Sequence, residues 1–311
     1  MALYGRNEGL NTESVRRLHK FLRAVGFSDI ADKKELQRLI INSIQQSTDR
    51  DYATKDGLPF VAQFCKEYVN GAGLAVCGTF DEEQRFTYDY YYPYLRGTSI
   101  SSTERITVEQ HAAQDSYAGM CDDVRVGVSL IFYLQNMIPY IKLKDGAGLP
   151  SHGTSLTLSA LSVRGTILMP IAKTRKQRES ARRKSVERAR MIAAARDGDE
   201  SAIESLTLED MDLYTAVTNR VRTDDIFTIV DNYFMPFGME CDQYSVLGEI
   251  MEWRRETNFV TQDTVYILKV DCNGLIMDIA INGKDLYGEP GIGRRFKGSI
   301  WMQGFINYLE R

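Results

Sequence analysis

Residues 288–298 read GEPGIGRRFKG, a composition suited to cradling an anion. Closely spaced glycines let backbone N–H groups converge, and Arg294, Arg295 and Lys297 add positive charge beside them. The chemistry would be capture of a phosphate or carboxylate. The segment is not a P-loop, because the Gly-Lys-Ser/Thr ending is missing. It is not a dinucleotide fingerprint either, because residues 299–308 after it read as a strand and not a helix. The plainer reading is a loop between two strands with its basic residues in water.

A second group is aromatic. Tyr88, Tyr90, Tyr92 and Tyr94 alternate, so a strand would turn all four rings to one face, where they could stack on bases or sugars. Aromatic strands more often pack against a helix or a second sheet, and Pro93 points to an edge or a bulge. A third group is basic. Between 172 and 197, Lys173, Arg175, Lys176, Arg178, Arg182, Arg183, Lys184, Arg188, Arg190 and Arg196 face only Glu179 and Glu187. Arg182, Arg183 and Lys184 are the residues to touch nucleic-acid phosphates. The favoured reading is a solvated helix whose charge is answered by the acidic run after Gly198, from Asp199 to Asp212.

Nucleophilic chemistry has one candidate place. His111 and Asp115 stand four apart, with Cys121, Asp122 and Asp123 downstream, and a Cys–His pair would be the mechanism. Nothing local marks these thiols as activated, and His19, His111 and His152 read as structural. H-E-x-x-H, G-x-S-x-G and EF-hand patterns do not occur. No catalytic residue, metal site or cofactor is assigned.

The 311 residues carry 43% hydrophobic and 26% charged side chains and a formal net charge of −4. That is an ordinary globular balance with no global attraction to nucleic acid. Cys65, Cys77, Cys121, Cys241 and Cys272 are odd in number and contain no C-x-x-C pair, which argues against a disulfide framework and a structural zinc. The opening MALYGRNEGLNTESVRRLHK has no apolar core of a signal peptide. The longest apolar runs, 126–134 and 167–171, fall far short of the roughly 20 residues that span a bilayer. The expected compartment is the cytoplasm.

The elements follow from periodicity. Val15, Leu18, Leu22 and Val25 share a helical face that Gly26 can stop, and Asp32 with Glu35 forms a capping box ahead of Leu36, Leu39, Ile40 and Ile44. Phe60, Phe64 and Tyr68 predict a third helix from about Leu58 to Gly71. Strands are predicted over 74–80, 86–95, 106–111 and 126–134, with a hairpin over 156–169 turning at Arg164-Gly165. Helices are predicted over 172–197, over 208–219 with Thr207 as N-cap, and over 224–234. Asn273-Gly274 predicts a tight hairpin over 264–281, Asn282-Gly283 a second turn, and 299–308 a last strand. The resulting division is an α+β module over 1–171, a charged helical connector over 172–222 and a second α+β module over 223–311. A series at a spacing of 170, including Phe64/Phe234, Gly78/Gly248 and Tyr117/Tyr287, raises a tandem duplication.

Four segments carry a family resemblance: CDDVRVGVSLIFYLQN (121–136), RDGDESAIESLTLEDMDLY (196–214), DNYFMPFGMECDQYSVLGEI (231–250) and GEPGIGRRFKGSIWMQG (288–304). They resemble an uncharacterised domain-of-unknown-function family of Clostridia and related Firmicutes, over most of the chain. The resemblance implies a cytosolic bacterial protein and transfers no activity or site residue. The fold expected is α+β, with antiparallel sheet in both halves. The expected function is non-enzymatic binding of a protein or small ligand, with Arg294, Arg295, Lys297, Tyr88, Tyr90 and Tyr92 as the ligand residues. One alternative is a nucleic-acid binder using the basic helix. The other is an enzyme on a phosphorylated or acidic small molecule.

Overall fold

The computed structural model describes residues 20–30, 32–55, 58–111, 116–123, 125–126, 128–145, 154–171, 198–208, 230–239 and 241–308, with isolated positions between 183 and 195. The molecule is strand-rich with a few helices. Strands β1 (Asp49–Lys55), β2 (Leu58–Val69), β3 (Ala72–Phe80) and β4 (Phe86–Leu95) form an antiparallel sheet in chain order. Helix α1 (Lys33–Gln45) begins as the capping box requires, with Asp32 Oδ1 accepting the Glu35 N–H at 2.8 Å. Its Leu39, Ile40 and Ile44 are buried against β2 and β3.

The later strands build one ten-stranded sheet. They are β5 (Ile106–Gln110), β6 (Tyr117–Cys121), β7 (Leu130–Leu134), β8 (Ser155–Leu168), β9 (Tyr233–Pro236), β10 (Gln243–Thr257), β11 (Thr264–Cys272), β12 (Leu275–Asn282), β13 (Leu286–Tyr287) and β14 (Arg295–Asn307). Helix α2 (Met137–Asp145) follows β7 and packs on β1. Five strands close on themselves, since β8 pairs β12, β12 pairs β11, β11 pairs β10, β10 pairs β14 and β14 returns to β8. The result is a barrel. β14 lies along β8 for its whole length, with β10 and then β7 on its other edge.

The Asn273-Gly274 hairpin forms as read. Both residues have positive φ, 58° and 84°, and Cys272 pairs Leu275 across the turn. The predicted helix over 58–71 is instead strand β2. Phe60, Phe64 and Tyr68 are spaced by four, which satisfies a period of two as well as 3.6, so the spacing could not discriminate. The predicted hairpin over 156–169 is one continuous strand, β8. Gly165 makes no turn there. A Cβ on it would lie 2.4 Å from the Phe296 ring and 2.9 Å from Ile281, so glycine makes room for the barrel filling. The strand expected over 126–134 begins only at Leu130. Tyr233 and Phe234 start β9 and do not end a helix. Thr207 lies inside a helix over 200–208 that Asp199 caps, and its hydroxyl donates to Ile203 O. Asn282 caps a short 3-10 turn.

The ten-stranded sheet draws strands from both sides of residues 172–222, so 1–171 and 223–311 do not form separate sheets. The two halves also differ in strand order. β3, with Gly78, is flanked by its sequence neighbours β2 and β4, whereas β10, with Gly248, lies between β11 and β14. The series at a spacing of 170 therefore carries no shared topology. Most of the basic segment, and residues 209–229, lie outside the described residues. Among the described residues no helix is long and apolar enough to cross a membrane.

Candidate functional site

Cross-strand pairing sets the face of the four-stranded sheet that looks toward the barrel. Asp49, Cys65, Ala75 and Tyr92 fall in one row, and Asp51, Gln63, Cys77 and Tyr90 in the next. This face does not close fully on its neighbours. It leaves a cleft of about 400 Å³ whose walls include Asp49, Asp51, Gln63, Tyr92, Tyr94 and Arg96 on the sheet side. Gln135, Asn136, Thr157 and Phe305 line it from the barrel side. A cleft of this size is at the small end of the range for small-molecule sites. Gly97 brings β4 against β8 here, since a Cβ on it would lie 2.6 Å from Thr157 Cγ2.

The floor is an amide network with a structural cause. β4 is the edge of its sheet, so the outward peptide groups of Pro93 and Leu95 have no strand to pair with and need other partners. Gln303 on β14 supplies them, with Nε2 donating to Pro93 O at 2.8 Å and Oε1 accepting Leu95 N–H at 3.2 Å. Gln135 Nε2 donates to Leu95 O at 2.9 Å and to Gln303 Oε1 at 2.8 Å, and Ser159 Oγ donates to Leu95 O at 2.6 Å. From the sheet side, Gln63 Nε2 donates to Tyr92 Oη at 2.9 Å and to Gln135 O at 3.1 Å, while Tyr92 Oη donates to Gln135 O at 3.0 Å. The network fixes the sheet against the barrel and holds the cleft open in one shape.

The rim is charged but paired. Arg96 meets Asp49 at 3.0 Å and approaches Glu67 at 3.8 Å, and Asp51 is bonded to Lys142 of α2. Burial pushes the Cys65 thiol up to about 11, so it stays protonated at neutral pH. Burial also raises the Tyr92 and Tyr94 phenols far above their usual range. Tyr94 is the exception to the satisfied floor. It is 4% exposed, its hydroxyl is sealed from water and makes no hydrogen bond of standard geometry, and the Arg96 side chain is its polar neighbour. The Arg96 guanidinium sits 5.8 Å from its ring centroid.

The tyrosines do not share one face. A bulge between Cys77 and Gly78 shifts the register of β4, so Tyr88 joins Tyr91 on the opposite side of the sheet. Tyr90 is buried under α2, with its hydroxyl 3.1 Å from Met137 Sδ, and Tyr92 reaches the cleft. The basic residues of 288–298 are elsewhere. Arg294 Nη1 donates to Glu289 O, and Lys297 lies half-buried in β14 between Leu247 and Thr166. Arg295 is 7% exposed, and burial lowers its pKa. Its guanidinium binds Met169 O at 3.2 Å and Val230 O at 2.9 Å, one carbonyl on each side of the charged connector. Ten positions separate Arg295 from Phe305 on β14, or about 30 Å at about 3.3 Å per residue. The basic group and the cleft therefore occupy opposite ends of that strand.

Arg183 is helical and exposed, while Arg182, Lys184, His19, His152 and Asp115 lie outside the described residues. Burial raises the Cys121 thiol to about 11, and its sulfur lies 3.6 Å from Ser102 Oγ. Among the described residues no group of His, Cys, Asp and Glu could hold a metal. Sequence reasoning passed over Asp49, Asp51, Gln63, Arg96 and Gln135. A signal existed: Gln63 and Gln303 each interrupt an apolar strand, in VAQFC and WMQGF, and Gln135 directly follows one, in FYLQN. A buried strand keeps such a residue only where its amide has a partner.

A protein-family model described as "Domain of unknown function, E. rectale Gene description (DUF3881)" matches residues 22–304. No curated protein and no solved structure matches the chain.

Proposed function

The chain belongs to this DUF3881 family, and from that premise we propose that it is a non-enzymatic binding protein that takes a small polar ligand in the cleft between the four-stranded sheet and the barrel. The observation that carries the reading is the cleft wall, where Asp49 Oδ1, Asp51 Oδ2 and Gln63 Oε1 accept no hydrogen bond from the described residues. Acceptors of this kind beside a cavity are free to take donors from something that enters. The rigid amide floor supports the same reading, because a preformed site loses little freedom when it binds. The protonated Cys65 thiol favours binding over nucleophilic catalysis there.

The remaining features fit around this function. All five cysteines are thiols, four of them buried, which supports a reducing compartment such as the cytoplasm. We read residues 172–222 as a connector between the two halves, supported by the Arg295 bonds to Met169 before it and Val230 after it.

A thermal-shift screen of small polar compounds against the wild type and Asp51→Asn tests the reading. At least one compound class should stabilise the wild type and do so markedly less in the variant. A screen in which every stabilising compound acts equally on both proteins would remove the cleft as the site.

A further inference from the structure

Resting on that binding reading, we infer that the cleft takes a neutral polyhydroxylated molecule, a saccharide of one or two rings. The argument begins with the atoms left uncommitted. Asp49 uses Oδ2 for Arg96, and Asp51 uses Oδ1 for Lys142 and for the Tyr52 N–H. Asp49 Oδ1, Asp51 Oδ2 and Gln63 Oε1 accept no hydrogen bond from the described residues. Arg96 Nη1 has no acceptor among them. The ligand must therefore offer several donors and an acceptor within a space of about 400 Å³.

Charge narrows the class. Around the rim stand three carboxylates, Asp49, Asp51 and Glu67, and two cations, Arg96 and Lys142, with both cations already paired. A phosphate or carboxylate ligand would face unneutralised negative charge with no uncommitted cation to receive it. An ammonium ligand would satisfy a carboxylate but, having donors only, would leave Arg96 Nη1 and its neighbourhood unmatched. A hydroxyl both donates and accepts. Adjacent hydroxyls can give protons to Asp49 and Asp51 while accepting from Arg96.

The apolar surface agrees. Phe305 lines the cleft from β14 and is 42% exposed, although Met302 and Ile306 beside it are buried. With the Tyr94 ring it gives the cleft aromatic walls. A pyranose has C–H faces that cover such rings and a hydroxyl edge that meets the amides and carboxylates.

Isothermal titration of the full chain against four panels tests this: neutral mono- and disaccharides, the same sugars as phosphate esters, polyamines and nucleosides. At least one neutral saccharide should bind, and its phosphate ester should bind at least tenfold more weakly. Asp51→Asn and Phe305→Leu, both at exposed side chains and checked by circular dichroism, should each weaken the saccharide about tenfold. Tighter binding of phosphate esters, polyamines or nucleosides would overturn the inference, as would silence from every saccharide. The two proposals fail separately. If no saccharide binds but the screen finds another class whose effect depends on Asp51, the binding function stands and the saccharide assignment falls. If no Asp51-dependent ligand exists, both fall.

Discussion

Tyr94→Phe deletes one oxygen and should make the protein more stable. In most cores the same change removes a hydrogen bond and costs about 1 kcal/mol. Here the hydroxyl has no bond to lose, so the variant avoids the desolvation of a buried polar group and gains about 1 kcal/mol. The unfolding entropy is about 2.1 cal/mol/K per residue, or about 0.65 kcal/mol/K for a chain of this length, so Tm should rise by about 1.5 °C. Tyr92→Phe is the control from the same sheet face. Its hydroxyl accepts from Gln63 and donates to Gln135 O, so its loss should cost about 1–2 kcal/mol and lower Tm by about 1.5–3 °C. Differential scanning calorimetry of the three proteins without ligand gives the comparison. If Tyr94→Phe lowers Tm as much as Tyr92→Phe, the Tyr94 hydroxyl is satisfied in solution and the desolvation reasoning is wrong.

Gly274→Ala should cost about 1–2 kcal/mol by urea unfolding, because φ is 84° there. A steric cause is set aside by the 3.6 Å that would separate the new Cβ from Arg125 Cδ, an ordinary contact. Burial pushes the Asp123 carboxyl up, but hydrogen bonds from Arg125 and Ser102 outweigh it and hold the pKa below the usual carboxylate value. A depressed folded pKa gives stability that is present above the unfolded value of about 3.9 and is lost as pH falls through the folded one. Asp123→Asn should thus cost about 1–3 kcal/mol at pH 7, and the gap from wild type should narrow below about pH 4 in urea midpoints measured across pH. In the native protein a thiol reagent should label Cys241 first, since the other four cysteines are buried; five labels should appear after unfolding. Fast native labelling of Cys65 would show that the cleft thiol is not the protonated group described.

Local chemistry was legible where one segment decides its own shape. Asn273-Gly274 and the Asp32 cap are such cases, since turn and cap geometry are set within four residues. Strand β4 was read to the residue, over 86–95. Phe60, Phe64 and Tyr68 fit both periods, and only the partners on β1 and β3 make that segment a strand. Gly165 looked like a turn because its reason to be glycine is the Phe296 ring, 131 positions away. The cleft was hidden for the same cause. Its carboxylates come from β1, its amides from β2 and the β7–α2 junction, and its aromatic wall from β4 and β14. One bulge sent Tyr88 away from the face shared by Tyr90 and Tyr92. The GEPGIGRRFKG segment carried the visible glycines and arginines, yet Arg295 spends donors on the carbonyls of Met169 and Val230, far from the cleft.

The last strand, β14, pairs with β7, β8 and β10, and its register with β8 joins Arg295 to Leu168 and Asn307 to Ser155. These are contacts between residues more than a hundred positions apart. During synthesis the barrel has no closing strand until residues 295–307 leave the ribosome, and until then β8 and β10 wait with open edges. The outward peptide groups of Pro93 and Leu95 wait as well, because Gln303 arrives on the same strand. The four-stranded sheet forms from near neighbours and can fold early, while the barrel and the cleft form together and late. Long-range closure of this kind predicts slower folding than the hairpins alone would give, since loop closure precedes the contacts that reward it.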